Sequence, residues 1–189
     1  MRRLLAAVIS CVVLAGCSSG SQLQNGDQTG FVSADGSAVV KNAAERGEPV
    51  ELIANEIKSN NPWKLSEHRG DVVLLNAWGP WCAPCRKELP ELQKIATQLE
   101  PKGLKIVGLA TRTNATSTLA FTEKFNITYP QLADYDSAAL SQLPGIPSAT
   151  VPGTIFIDRN GRIAGWALGA ADPALIRSIA ESLLDESAS

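Results

Sequence analysis

The chain has 189 residues, of which 44% are hydrophobic and 19% charged, and its formal net charge at pH 7 is −2. This composition is typical of a globular protein with enough residues for one domain. The near-neutral balance, without a long basic run, argues against binding to nucleic acid or to a membrane surface through a polybasic patch.

The first 16 residues are predicted to be a signal peptide. A short basic start, Met1-Arg2-Arg3, precedes an apolar run over residues 4–14. That run is much shorter than the roughly 20 residues that a membrane-spanning helix needs. Leu14-Ala15-Gly16-Cys17 resembles the lipobox of bacterial lipoproteins. The resemblance implies cleavage before Cys17, which then carries the lipid; the alternative is a plain secreted protein with an accidental cysteine.

Residues 17–48 are predicted to form a flexible tether, because Ser, Gly, Gln, Asn and Asp predominate there and large apolar side chains are few. The folded domain is then expected at residues 49–189. Cys11 is lost with the signal peptide and Cys17 carries the lipid, so only Cys82 and Cys85 remain in this domain. A framework of structural disulfides is thereby excluded.

From Pro49 onward, strand and helix patterns alternate. The predicted strands are residues 50–54, 72–78, 104–110, 131–133, 154–158 and 163–168, and the predicted helices are residues 84–100, 117–125, 137–143 and 173–184, with a loop at residues 60–70. Early alternation favours parallel strands, and Asn160-Gly161 predicts a final antiparallel hairpin. We therefore expect an α/β fold in which a mixed central sheet has helices on both faces.

Cys82 and Cys85 carry the chemistry, since they follow the apolar strand 72–78 and open the helix 84–100. A thiol at a helix start faces unpaired backbone N–H groups and the positive end of the helix dipole, and both favour the thiolate. Cys85 lies one turn further on, close enough for a disulfide. The competing interpretation, a structural zinc site, needs four ligands, whereas the domain offers two cysteines and one histidine, His68. We therefore predict a redox dithiol and no metal.

Residues 76–90, which read Asn-Ala-Trp-Gly-Pro-Trp-Cys-Ala-Pro-Cys-Arg-Lys-Glu-Leu-Pro, resemble the extracytoplasmic TlpA/ResA-like thiol–disulfide oxidoreductases, as does Val151-Pro152 before a strand. The resemblance covers residues 51–184 and implies a thioredoxin-like three-layer sandwich. It implies that Cys82 is the exposed nucleophile toward a partner disulfide and that Cys85 is the buried thiol that then releases the partner. It implies no cofactor.

The same resemblance assigns roles around the cysteines. Glu88 is expected beneath the site, where burial raises its pKa and lets it accept the proton of Cys85; the alternative is an exposed glutamate paired with a neighbouring cation. Asn76 replaces the buried aspartate of cytoplasmic thioredoxins, which favours Glu88 in that role. Trp81 is expected to shield the disulfide and contact partners, while Trp78 packs in the core.

Pro152 aligns with the cis-proline that faces the disulfide in thioredoxins, although cis bonds are uncommon before proline in general. The resemblance therefore implies a cis Val151–Pro152 bond. The Val151 backbone would then be turned outward, where it can pair with an extended substrate as an added strand does.

Together these features predict a thiol–disulfide oxidoreductase that is lipid-anchored at the extracytoplasmic face of a bacterial membrane. By resemblance, it reduces disulfides of extracytoplasmic proteins such as apocytochrome c during cytochrome c maturation, and a membrane thiol transporter supplies the electrons. Two other functions stay open. One is oxidation or isomerisation of disulfides in secreted proteins, and the other is client binding without catalysis.

Overall fold

The computed structural model of the protein describes residues 31–32, 38–146 and 150–186. The predicted signal peptide, Cys17 and much of the predicted tether lie outside the described residues. Within the described ranges, every helix is too short or too polar to cross a membrane.

Nine strands are described: β1 Phe31–Val32, β2 Ala38–Val40, β3 Ile53–Asn55, β4 Pro62–Lys64, β5 Val72–Trp78, β6 Leu104–Thr111, β7 Gln131–Asp134, β8 Gly153–Ile157 and β9 Ile163–Leu168. Seven of them form one sheet in the order β1-β2-β9-β8-β5-β6-β7. Strands β5, β6 and β7 are parallel to one another, and the remaining neighbours are antiparallel. The predicted mixed sheet is thus confirmed.

Three α-helices follow the parallel strands and the final hairpin: α1 Ala83–Leu99, α2 Ala115–Lys124 and α3 Pro173–Asp185. Asn114 and Asp172 cap α2 and α3 through side-chain oxygens that accept backbone N–H bonds. Helix α1 continues through Pro90, so this proline does not end the helix.

Each face of the sheet has its own core. Helices α1, α2 and α3 bury apolar side chains on one face, among them Leu89, Leu92, Phe121, Ile176 and Leu183. The other face buries Val73, Leu75 and Leu109 against Leu65 and Leu140. Those two covering residues lie in single 3-10 turns.

The three-layer α/β architecture is therefore confirmed, but its second covering layer differs from the prediction. It consists of 3-10 turns and the two-stranded sheet β3–β4 rather than α-helices. The predicted helix at residues 137–143 is only a 3-10 turn at Leu140–Gln142. Pro144 and the left-handed Gly145 (φ 74°) follow it at once and stop its extension.

The folded domain also begins before the predicted boundary at residue 49. Strand β2 pairs with β9, and Val39 lies opposite Trp166. Arg46, only 7% exposed, forms ion pairs with Asp158 at 3.1 Å and Glu186 at 2.6 Å. The described part of the predicted tether is thus part of the fold, because its short apolar stretch completes a sheet edge that lies far away in sequence.

Candidate active site

The cysteine pair lies at the carboxyl ends of the parallel strands, where ligand sites of open α/β sheets commonly occur. Cys82 is the N-cap residue of α1, and its sulfur accepts a hydrogen bond from the Cys85 N–H at 3.2 Å. The two residues form a disulfide with a Cα–Cα distance of 5.3 Å. Cys82 is 5% exposed and Cys85 fully buried. Cys82 is therefore the more accessible sulfur, although far less open than the term exposed nucleophile suggests.

Glu88 lies on the buried side of α1, one turn beyond Cys85 and only 6% exposed. Removal from water raises its pKa to about 7, and a side-chain hydrogen bond with Asn76 opposes the rise without cancelling it. One carboxyl oxygen, Oε2, has no hydrogen-bond partner within the described structure. The alternative of an exposed, ion-paired glutamate is wrong, and a carboxyl with this pKa can exchange a proton near neutral pH.

The groups around Glu88 come from the strands. Asn76 on β5 donates to the Thr154 hydroxyl on β8 at 3.1 Å, across a directly paired position. Tyr129, 7% exposed, precedes β7, and burial together with the nearby Glu88 charge raises its pKa. Thr154 and Tyr129 were not predicted, because neither has a motif and both reach the site through long-range strand pairing.

The raised pKa of Glu88 predicts a pH dependence of stability. Below about pH 4.5 the Glu88 carboxyl is protonated in both the folded and the unfolded chain. Between about pH 4.5 and pH 7 it loses its proton in the unfolded chain but keeps it in the folded protein. The free energy of unfolding should therefore fall as pH rises through this window, by roughly 3 kcal/mol in total. Glu88→Gln should remove that loss. Urea unfolding of the oxidised protein and of this variant at pH 5 and pH 8 measures the two free energies of unfolding.

Glu91→Gln is the matched control, since the Glu91 side chain is 42% exposed and pairs with Lys94 at the surface. It should leave the pH dependence unchanged. If Glu88→Gln and the unaltered chain lose equal stability between the two pH values, Glu88 is ionised in the native state throughout.

The two tryptophans of the motif differ as predicted in their burial. Trp78 is fully buried in the core, and its indole N–H donates to Gln131 at 2.7 Å. Trp81 is 47% exposed beside Cys82, and its indole N–H donates to the Thr111 carbonyl at 3.3 Å. A side chain on Gly79 would collide with this indole, at 2.4 Å from its nitrogen. The absence of a side chain at Gly79 therefore leaves room for the Trp81 indole to pack against the backbone of residue 79.

The Val151–Pro152 bond is cis, as the resemblance implies. Val151 packs against the core cluster that contains Cys82 and Cys85. Pro152 is buried at the start of β8. The two cysteines and Val151 thus belong to the same apolar core. Trp81 and Glu88 adjoin them on α1 and the loop before it.

His68 lies away from this site and stacks on Trp63 with ring centroids 4.7 Å apart. Across the described ranges, His, Cys, Asp and Glu side chains form no group of three that could hold a metal ion.

The sequence and structure match known proteins. The model of the AhpC/TSA family matches residues 32–165. A thiol-disulfide oxidoreductase ResA from Geobacillus kaustophilus is 32% identical over 113 residues, which make up 60% of this chain and 63% of that protein. The match therefore spans somewhat less than two thirds of this relative's length.

Two solved structures align over most of the chain. A secreted thiol-disulfide isomerase from Corynebacterium glutamicum has a TM-score of 0.76 at 29% identity, covering 82% of this chain and 97% of that one. A DsbF homologue from Corynebacterium diphtheriae has a TM-score of 0.73 at 30% identity, covering 81% and 98%. The fold and the cysteine pair are those of thioredoxin-like thiol–disulfide oxidoreductases. The chain belongs to the AhpC/TSA family.

Proposed function

We propose that the protein is an extracytoplasmic thiol–disulfide oxidoreductase that reduces disulfides of partner proteins, and that Cys82 and Cys85 are its redox couple. The observation that carries this proposal is the disulfide at the start of α1, with Cys82 at the helix N-cap and Cys85 buried behind it. The relatives named thiol-disulfide oxidoreductase and the secreted structural neighbour support the class and the compartment.

The reaction starts from the dithiol form. The Cys82 thiolate attacks one sulfur of the partner disulfide, so that a Cys82–partner bond forms, the partner bond breaks and the second partner sulfur leaves as a thiolate. Cys85 then attacks Cys82 and releases the first partner sulfur. Two electrons pass to the partner, which ends as a dithiol, and the Cys82–Cys85 disulfide is restored.

Glu88 is proposed as the group that takes the proton of Cys85 before the second attack. The attacking species is the thiolate, and a thiol buried among apolar side chains resists ionisation. A buried carboxyl with a pKa of about 7 on the same helix face is a suitable acceptor. The Asn76 side chain, which hydrogen-bonds Glu88, is held in turn by its bond to the Thr154 hydroxyl across β5 and β8.

Substrate contact is proposed at Trp81, Val151 and Pro152. In the described part of the chain, the Val151 backbone N–H and C=O form no hydrogen bond. We propose that both groups pair with an extended client, as in strand addition. The exposed Trp81 side chain directly precedes Cys82 in the chain.

The reduction potential of the couple tests the direction. A reductase should equilibrate with glutathione or dithiothreitol at a potential more negative than about −220 mV, whereas strong oxidants lie near about −120 mV. The C. glutamicum neighbour is described as an isomerase, so an oxidase or isomerase is the second candidate. A value in the oxidising range would replace the reductase by that candidate.

The finer proposals concern place and client. We propose that Cys17 carries a lipid that anchors the mature chain, that residues before the first described strand connect it to the domain, and that apocytochrome c is a client. A membrane thiol transporter is proposed as the electron donor. The relatives named thiol-disulfide oxidoreductase ResA support the exchange of thiols and disulfides, and the apocytochrome c client is implied by the resemblance of residues 76–90.

Cys17→Ala tests the anchor. We expect the unaltered protein in the membrane pellet and the variant in the soluble or secreted fraction, because several acyl chains are needed for durable anchoring. Fractionation with immunoblotting measures this, and Cys11→Ala serves as the control cysteine variant. Equal retention of both variants in the pellet would remove the lipid assignment.

A further inference from the structure

A cationic rim, defined as Arg86 and Arg112, contacts the loop that carries Trp81. Arg112 stacks on the Trp81 ring, with its guanidinium carbon 4.4 Å from the ring centroid. Arg86 is exposed in the first turn of α1, and it donates to the Pro80 carbonyl at 3.3 Å. Both guanidinium groups are therefore held against Pro80 and Trp81, the two residues that directly precede Cys82.

The position of Arg112 is fixed by its backbone. Its φ of 49° lies in the left-handed region, which non-glycine residues seldom adopt. Its N–H donates to the Tyr135 carbonyl at 3.2 Å. The preceding residue, Thr111, forms a hydrogen bond between its hydroxyl and that of Ser137 at 3.0 Å. Ser137 also has a backbone in the left-handed region, with a φ of 63°. The segments that follow β6 and β7 are thus hydrogen-bonded to each other, and these bonds hold the Arg112 backbone where its side chain stacks on the Trp81 indole.

The rim is not neutralised. Across residues 38–146 and 150–186, no carboxylate forms an ion pair with Arg86 or Arg112. The acid nearest to Arg86 in sequence, Glu88, is buried. Two guanidinium groups without an ion-pair partner therefore lie at the loop before Cys82, in a chain whose formal net charge is −2. A guanidinium that is already held by stacking loses little conformational entropy when its planar N–H donors bind both oxygens of a carboxylate.

We propose that Arg112 is a specificity-determining residue and that this rim selects client segments with an Asp or Glu close to the reacting cysteine. Extended chains advance about 3.3 Å per residue, so a carboxylate two or three residues from the cysteine can reach a side chain stacked over Trp81. This inference rests on the proposed function, because the client must meet Cys82. It adds a charge preference to the strand-like pairing at Val151.

The test uses disulfide-bridged peptides that differ only in one residue near the cysteine: Glu, Gln or Lys. The reduced protein at low salt should show kcat/KM values about three- to tenfold higher for the Glu peptide than for the Gln peptide, with the Lys peptide slowest. Arg112→Gln should bring the Glu and Gln peptides within twofold of each other. Arg112→Lys should keep part of the preference, since it retains charge but loses the planar stack.

Lys124→Gln is the matched control, because Lys124 is also a cation over an aromatic ring, Phe125, but lies at the far end of α2. It should retain the full preference. A second measurement needs no variant: the Glu-to-Gln ratio of the unaltered protein should fall toward one at about 0.5 M salt.

The outcomes separate the two proposals. If all three peptides are reduced at equal rates by the unaltered protein, or if Arg112→Gln keeps the full preference, the rim does not select clients while the oxidoreductase function stands. If the unaltered protein reduces none of the peptides, the proposed reductase function fails, and the client preference fails with it.

Discussion

A Cys85→Ser variant is expected to accumulate as mixed disulfides through Cys82 and to lose turnover by at least about a thousandfold. In the proposed reaction, Cys85 attacks Cys82 three residues away at the start of the same helix, and such intramolecular steps have effective molarities far above any solution thiol. Without Cys85, release of the partner depends on thiols from solution. Non-reducing gels of membrane extracts, followed by mass spectrometry of the thiol-sensitive bands, measure the adducts.

Cys82→Ser is the paired control. Cys85 is fully buried, so this variant should form no adducts even though it retains one thiol. Adducts through Cys85 in that variant, or none through Cys82 in the other, would reverse the proposed order of attack. Because both substitutions exchange sulfur for oxygen in the same short loop and helix start, a general folding defect should affect the two variants alike.

Arg46→Ala is expected to lower the free energy of unfolding by about 3–5 kcal/mol, as breaking a buried ion pair does. The Arg46 side chain is 2% exposed and bonds Asp158 at 3.1 Å and both carboxyl oxygens of Glu186 at 2.6 Å. Its removal leaves Asp158 buried with Arg162 as its remaining cation. In a chain of this length the melting temperature should fall by roughly 10 °C, as calorimetry can measure.

Lys94→Ala is the control for this loss. Lys94 also pairs with a glutamate, Glu91 at 2.8 Å, but its side chain is 64% exposed. Surface pairs of this kind contribute about 0–1 kcal/mol. Similar losses from the two substitutions would mean that the Arg46 cluster contributes no more than an ordinary surface pair.

The parts of the fold that local patterns encode were predictable. Strand β5 is apolar except for Asn76 and was predicted at its observed bounds, as was β9. The hairpin between β8 and β9 follows from Asn160-Gly161, where Gly161 has a φ of 80°. In each case neighbours in sequence determine the structure, through apolar content or turn chemistry.

The parts that depend on distant partners were not predictable. Strands β1 and β2 are short and surrounded by polar residues, and they exist because β9 offers an unpaired edge. Pro62–Lys64, predicted as loop, pairs with β3. Single sequences contain no signal for such pairings, since a strand of two or three residues has no periodicity to detect.

The site divides in the same way. Cys82, Cys85 and Glu88 share one helix, so their spacing predicts that they meet. Tyr129 and Arg112 reach the site from the segments before β7 and after β6, and nothing near them in sequence identifies them. Family resemblance supplied the cis bond before Pro152, which composition alone would have assigned as trans.

The position of the Arg46 cluster indicates where a fusion partner can be attached to the protein. Strand β8 runs antiparallel to β5, so Asp158 lies at the end of the sheet opposite the disulfide. Arg46 pairs with both Asp158 and Glu186, so the C-terminal end of α3 lies at that same end of the sheet. A fluorescent protein or affinity tag joined directly after Glu186 would therefore begin at the end of the sheet opposite the disulfide. Such a fusion should leave Cys82 open to its clients while reporting where in the cell the enzyme resides.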